Sequence, residues 1–300
     1  MHSNAATDPK GAGGVTPLAS TIRSSNAPPR PGGTGGTAVA QWHAALSAIA
    51  VLNVALWLGC AVAVTHAPGA TGAAAMQLLL SGVYVLGCAF RSALPVYDIP
   101  RIVLVDSRFS SVLLGRSVAT VAELCFAIQW ALILQRIGSV SHNSFAQLVA
   151  QAIVPLIVLA EGFSWYAVLT TTQRGHVLEN SLWGAAAALL VVSLLLIGPA
   201  RIAALSALLV GWCIGGAAYA LFMFLFDVPM YWSRWRADQA SGRRYLSIRQ
   251  GLLELRRRRV VSARWEDWRT EVTWMSLYFT FGVWSSISIV YASLALVAHS

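Results

Sequence analysis

The chain has 300 residues, 57% of them hydrophobic and only 11% charged. A soluble domain carries roughly a quarter charged residues, so this composition excludes an ordinary water-soluble surface. The net charge of +9 is almost entirely arginine, Lys10 being the only lysine; with no nucleic-acid module beside it, no nucleic-acid partner is expected, and basic loops against anionic lipid are.

Residues 1–40 are rich in Gly, Ser, Thr, Pro and Ala and lack a helical hydrophobic period. They read as a disordered cytoplasmic tail. The first apolar run begins too far into the chain for a cleaved signal peptide and reads as an uncleaved anchor. Residues 41–300 read as an all-α membrane domain of seven spans, each near the 20 residues a bilayer requires. The expected spans are Trp42 to His66, Ala74 to Leu94, Arg116 to Gln135, Phe145 to Leu169, Leu182 to Pro199, Ile202 to Phe226 and Val272 to Ala298. A β-barrel is excluded because runs such as Ala185 to Ile197 do not alternate apolar and polar residues. Gly211 and Gly215 in the sixth span form a G-x-x-x-G packing motif. The four cysteines lie singly in apolar runs, so neither a disulfide framework nor a zinc site is expected.

Arginine gives an expected orientation. With seven spans, one side receives the tail and the second–third, fourth–fifth and sixth–seventh connections. That side holds Lys10, Arg23, Arg30, Arg91, Arg101, Arg108, Arg116, Arg174 and the eleven arginines from Arg234 to Arg269; the other holds Arg136 and Arg201. Positive charge stays cytoplasmic. The N-terminus is therefore expected inside and the C-terminus outside, in a plasma (inner) membrane. This is opposite to seven-span receptors and rhodopsins, and the last span lacks a lysine for a retinal Schiff base.

The connection from about Pro229 to Glu271 has its own pattern. Tyr245, Ile248, Leu252 and Leu255 recur at helical spacing, with Arg249, Arg256, Arg257, Arg258 and Arg259 beside them. This is an amphipathic basic helix, expected to contact membrane lipid, anionic lipid in particular, or a cytoplasmic protein. Trp265, Trp268 and Trp274 suit an interfacial anchor.

Chemistry is expected where ionisable groups enter the apolar spans. Glu123 and Glu161 are the embedded acids. Arg116, Thr120, Glu123 and Trp130 follow one helical stripe, and Glu161 and Trp165 another. A short connection makes the third and fourth spans antiparallel neighbours, which puts both acids at one depth, nearer the arginine-rich end. Asp98, Asp106, His176, Glu179 and Asp227 fall at or just below that depth. Arg91 and Arg116 are the candidate ion-pair partners. His176 and Glu179 form H-x-x-E, but without a second histidine box no metal site is expected. No H-E-x-x-H, G-x-x-x-x-G-K-[ST] or dinucleotide-binding motif is present, and no cofactor is implied.

Three functions fit these residues. In a membrane enzyme acting on a lipid or other hydrophobic small molecule, Glu123 and Glu161, with Asp227 as a third acid, supply acid/base catalysis, while Arg116, Thr120, Trp130, Trp165 and His176 bind substrate. In a proton-coupled transporter or channel the buried carboxylates are protonation sites. In a sensor, scaffold or assembly factor the basic loop is the contact surface.

Overall fold

A computed structural model describes residues 34–67, 72–199, 203–257 and 259–298. Of the expected tail, residues 1–40, the first 33 lie outside them and the last seven belong to the first helix. The described chain is overwhelmingly helical, and seven helices are long and apolar enough to cross a membrane. The protein is a multi-pass integral membrane protein.

The spans are α1 (Thr34–His66), α2 (Gly72–Ala93), α3 (Val112–Val140), α4 (Ser144–Thr170) and α5 (Gln173–Ile197), then two bent ones. The sixth is α6 (Ser206–Phe222) continued through a π-turn, Met223–Asp227, into α7 (Val228–Ala240). After α8 (Ile248–Arg257), the seventh is α9 (Trp265–Leu277) continued through a second π-turn, Tyr278–Gly282, into α10 (Val283–Ala298). Consecutive spans pack as neighbours, and α9–α10 packs against α1, α2, α3 and α6. Large side chains such as Val62, Leu79, Leu148, Leu196, Ile214 and Phe281 face outward. On a soluble protein such apolar surface would be a liability; here it is the lipid-facing coat.

Local chemistry sets the helix starts. Ser111 caps α3 by accepting from the Leu114 N–H at 3.1 Å, and Asn143 caps α4 by accepting from Ala146 at 2.9 Å. Two residues, Thr171 and Thr172, join α4 to α5, with Thr171 in the left-handed region at φ 61°. So short a turn presses the helices together at Gly175. A Cβ there would come within 2.6 Å of the Phe163 carbonyl oxygen and 2.7 Å of the Ala167 Cβ.

Five helices run past their expected ends by a turn or more, α3 among them at Val112 and Val140. α1 starts about two turns before Trp42. α5 begins at Gln173 rather than Leu182, the sixth span continues through Pro229 to Ala240, and the seventh begins at Trp265 rather than Val272. In α5 and in the sixth and seventh spans, polar residues that look like a span's end in sequence lie inside the helix. Pro229 follows directly on the π-turn, where the α-helical hydrogen-bond ladder is already interrupted and its missing N–H falls on that interruption. The packing expectation for Gly211 and Gly215 fails within the chain: both are exposed, and a Cβ on either meets nothing within 4 Å. Gly216 is the close-packed glycine, against Val191 of α5.

The bundle has two unlike ends. Away from the arginine-rich loops, Ile133, Leu134, Ile153, Leu194 and Leu209 join a dry apolar cluster. Several polar groups between helices are paired. Ser286 Oγ donates to Gln129 Oε1 at 2.6 Å, and Gln77 and Gln129 each donate to the other's carbonyl at 3.1 Å. A π-turn leaves backbone groups without their α-helical partners, and the Phe279 carbonyl is met by Asn53 Nδ2 of α1 at 2.8 Å, while Asn53 Oδ1 accepts from Trp284 at 3.0 Å. Asn53→Leu is expected to destabilise the folded bundle by about 1–2 kcal/mol, the upper range for interhelical hydrogen bonds in membranes. A thermal melt in detergent indistinguishable from wild type would remove this role.

At the arginine-rich end, a small sheet ties the connections down. β1 (Val96–Tyr97) pairs antiparallel with β2 (Ile102–Val103), which pairs in parallel with β3 (Val260–Val261). α8 docks beside it. Leu255 packs with Val96, Val103, Val112 and Val168, and Arg101 pairs with Glu254 at 2.6 Å. The stripe read from sequence is therefore split: Leu255 faces the bundle, while Ile248 and Leu252 are exposed beside Arg249 and Arg256. Arg259 is occupied, reaching Asp106 at 2.8 Å and the Ser107 carbonyl. Arg257 and Arg258 fall outside the described side chains. Trp268 and Trp274 turn inward instead of anchoring an interface. Trp268 is fully buried, donating to the Ser262 carbonyl at 2.8 Å, with its ring centroid 5.7 Å from that of Trp42.

Candidate functional site

One side chain organises the site. Arg116, in the second turn of α3, is 5% exposed and lies among four carboxylates. Its nitrogens approach Glu161 at 2.6 Å, Glu123 at 3.0 Å, Glu179 at 3.7 Å and Asp98 at 3.9 Å. Three helices and the loop after α2 thus meet at one guanidinium, whose planar fork suits several acceptors at once. Thr120, one turn on, donates to Glu161 at 2.6 Å and accepts from the Trp165 indole at 3.0 Å. Oxygens of Glu123, Glu161 and Glu179 lie within 4.8 Å of one another, and the positive charge among them is the guanidinium.

Beside this cluster a cavity penetrates the bundle from the arginine-rich end. Arg116, Glu123 and Glu179 form one wall; Asp98, Asp227 and Glu271 form others. Asn180 donates to Asp227 at 2.8 Å. His176 Nδ1 is 2.7 Å from Glu179 Oε2, and its ring centroid lies 5.0 Å from that of Tyr231. Tyr97, in β1 outside the spans, completes the rim. Burial, and then the nearby Glu271 carboxylate, pushes its phenol pKa up, so it is an uncharged O–H at neutral pH.

Both π-turns border the cavity. Asp227 closes the first and Tyr278 opens the second, and both residues line the wall. Such turns widen a helix locally and recur at functional sites.

The candidate residues separate cleanly. Arg116, Glu123, His176 and Asp227 line the cavity. Glu161, Thr120 and Trp165 stand behind Arg116, linked to it through Glu161. Trp130 is elsewhere, in the apolar cluster, with its ring centroid 4.9 Å from that of Trp212. Asp106 is on the surface with Arg259. Sequence reasoning missed Glu271, Gln173, Asn180, Trp183, Tyr219, Tyr231 and Tyr278, which also line the cavity. One signal was present: Glu271, Trp274 and Tyr278 follow an i, i+3, i+7 period once α9 is taken to begin at Trp265.

Comparisons of the chain with protein-family models, curated proteins and solved structures returned no match.

Proposed function

We propose that this protein is a membrane enzyme acting by acid/base chemistry on a lipid or other hydrophobic small molecule that enters from the cytoplasm. The observation carrying the reading is the His176–Glu179 pair, 2.7 Å apart in the cavity wall. A carboxylate on Nδ1 fixes the imidazole's orientation and leaves Nε2 for proton transfer, the arrangement of a general base held by a third group. Asp227, held by Asn180 one turn from His176, and Glu271 are further acids of the same cavity, and Glu123 lines it as well. Glu161 is a positioning residue, acting through Arg116 and Thr120.

The arginine asymmetry supports an N-terminus inside, a C-terminus outside and a mouth toward the cytoplasm of a plasma (inner) membrane. The segment before α1 then lies in the cytoplasm, and the exposed Ile248, Arg249, Leu252 and Arg256 of α8 face anionic lipid at the same surface. Transport has less support: beyond Glu123 the third, fourth and fifth spans pack through the apolar cluster around Ile133, Leu134 and Leu209.

The test compares lipid and small-molecule extracts of cells producing wild type, His176→Ala or Glu179→Gln at equal membrane levels, by mass spectrometry. A mass change made by wild type should fall about a hundredfold or more in either variant, the lower range for loss of a general base. Identical extracts from all three would exclude catalysis by this pair.

A further inference from the structure

The cavity is acidic and aromatic together. Five carboxylates line it, those of Asp98, Glu123, Glu179, Asp227 and Glu271, against the guanidiniums of Arg91 and Arg116. Arg116 is shared further with Glu161 behind the wall. Arg91 points partly elsewhere, 3.4 Å from the Val96 carbonyl and 6.0 Å from the Phe279 ring centroid. Arg234, stacked on Tyr231 at 5.5 Å, adds one charge at the edge. Acids still exceed arginines. Six of the chain's twelve acidic residues meet here, in a protein whose net charge is +9, so the acidity is local and cannot follow from composition.

Two further observations point to a ligand. The rings of Trp183, Tyr219, Tyr231, Trp274 and Tyr278 line the same space, and aromatic faces attract cations, most strongly away from water. Gln173 lies in the wall at 8% exposure, and its Oε1 is buried without a hydrogen-bond partner. A buried acceptor left unpaired costs about 1–3 kcal/mol, which an N–H donor entering the cavity would recover.

We infer that the cavity binds a protonated amine, as an aminoalkyl lipid headgroup or as a free small molecule. An ammonium group supplies positive charge for the carboxylates, a cation for the ring faces and N–H donors for Gln173 Oε1. A quaternary ammonium supplies only the first two. The inference names the substrate class of the catalytic site proposed above and rests on the same cavity, but binding requires no turnover.

The test uses saturation-transfer NMR on the purified full chain for the organic probes and water-proton relaxation for Mn²⁺. The probes are ethanolamine, its neutral counterpart 1-propanol, tetramethylammonium and Mn²⁺, with phosphatidylethanolamine nanodiscs against phosphatidylcholine nanodiscs as the lipid arm. Ethanolamine, free or in the lipid, should bind; 1-propanol should not, and tetramethylammonium should bind more weakly. Glu271→Gln and Tyr231→Leu, checked for folding by size exclusion and thermal melting, should each weaken amine binding about tenfold or more. Equal binding of 1-propanol, unchanged binding in both variants, or binding of Mn²⁺ with no amine response would overturn the inference. Amine binding with unchanged cell extracts would remove the catalytic reading and leave the amine site standing. Changed extracts without amine binding would do the reverse.

Discussion

Arg116→Leu is expected to cost the folded bundle at least about 3–5 kcal/mol, the range for removing one partner of a buried ion pair. The leucine fits the volume, so the loss is electrostatic. Glu123, Glu161, Glu179 and Asp98 remain around the vacated position, and the two nearest lose their charge-assisted hydrogen bonds of 3.0 and 2.6 Å. Arg116→Lys should fall between: the charge survives, but a point ammonium cannot reach acceptors on α3, α4 and α5 as a planar fork does. The decisive comparison is Arg116→Leu combined with Glu123→Gln and Glu161→Gln. Removing two negative charges should restore much of the melting temperature in detergent, because the single variant's defect is uncompensated charge. If Arg116→Leu melts within about 2 °C of wild type, less than 1 kcal/mol for a domain this size, the guanidinium does not hold the site together.

That centre was legible in the sequence. Positions 116, 120 and 123 share a face on any straight helix, and the antiparallel third and fourth spans bring position 161 to the same depth. What sequence could not supply is where the helices stop. A span read from an apolar run ends at its first ionisable residues, because the criterion describes contact with lipid. Residues facing an internal cavity escape it. His176, Glu179, Asp227, Tyr231 and Glu271 all lie on helix that such a reading cuts away, so the first three were placed near Arg116 by depth alone, and Tyr231 and Glu271 were left out. The π-turn at Met223–Asp227 adds a second obstacle. It widens one turn of the sixth span, so no straight helical wheel predicts which side chains share a face beyond it.

Tryptophan misled for a related reason. Trp130 continues the stripe of Arg116 and Glu123, but seven residues is about 10 Å of helix, enough to pass from the polar end into the dry cluster. Trp268 resembles an interfacial anchor by composition, yet its N–H finds the Ser262 carbonyl and its ring lies against Trp42. An indole with a buried acceptor nearby has no need of the headgroup region.

Gly251→Val should release α8 from the bundle. At Gly251 the helix lies directly on the backbone of Leu169 at the end of α4, and an added Cβ would overlap its carbonyl group. Backbone cannot rotate aside as a side chain can, and overpacking of this kind costs about 1–3 kcal/mol. The cost falls on docking, because α8 is held by few groups: Leu255 in its apolar cluster, Arg101 with Glu254, and the Leu246 N–H donating to the Thr170 carbonyl at 3.1 Å. The undocked population should rise about fivefold to a hundredfold, and trypsin cleavage among Arg249, Arg256 and Arg259 should accelerate in proportion when closing outpaces cutting. The spans themselves pack through other contacts, so the melt of the protected bundle should move little. Leu252→Ala, on the exposed face of the same helix, is the control and should leave the cleavage rate unchanged. Equal cleavage of Gly251→Val and wild type would show that α8 is not held on α4 through this contact. Faster cleavage together with collapse of the whole bundle would show instead that the basic segment is part of the core rather than a surface element laid upon it.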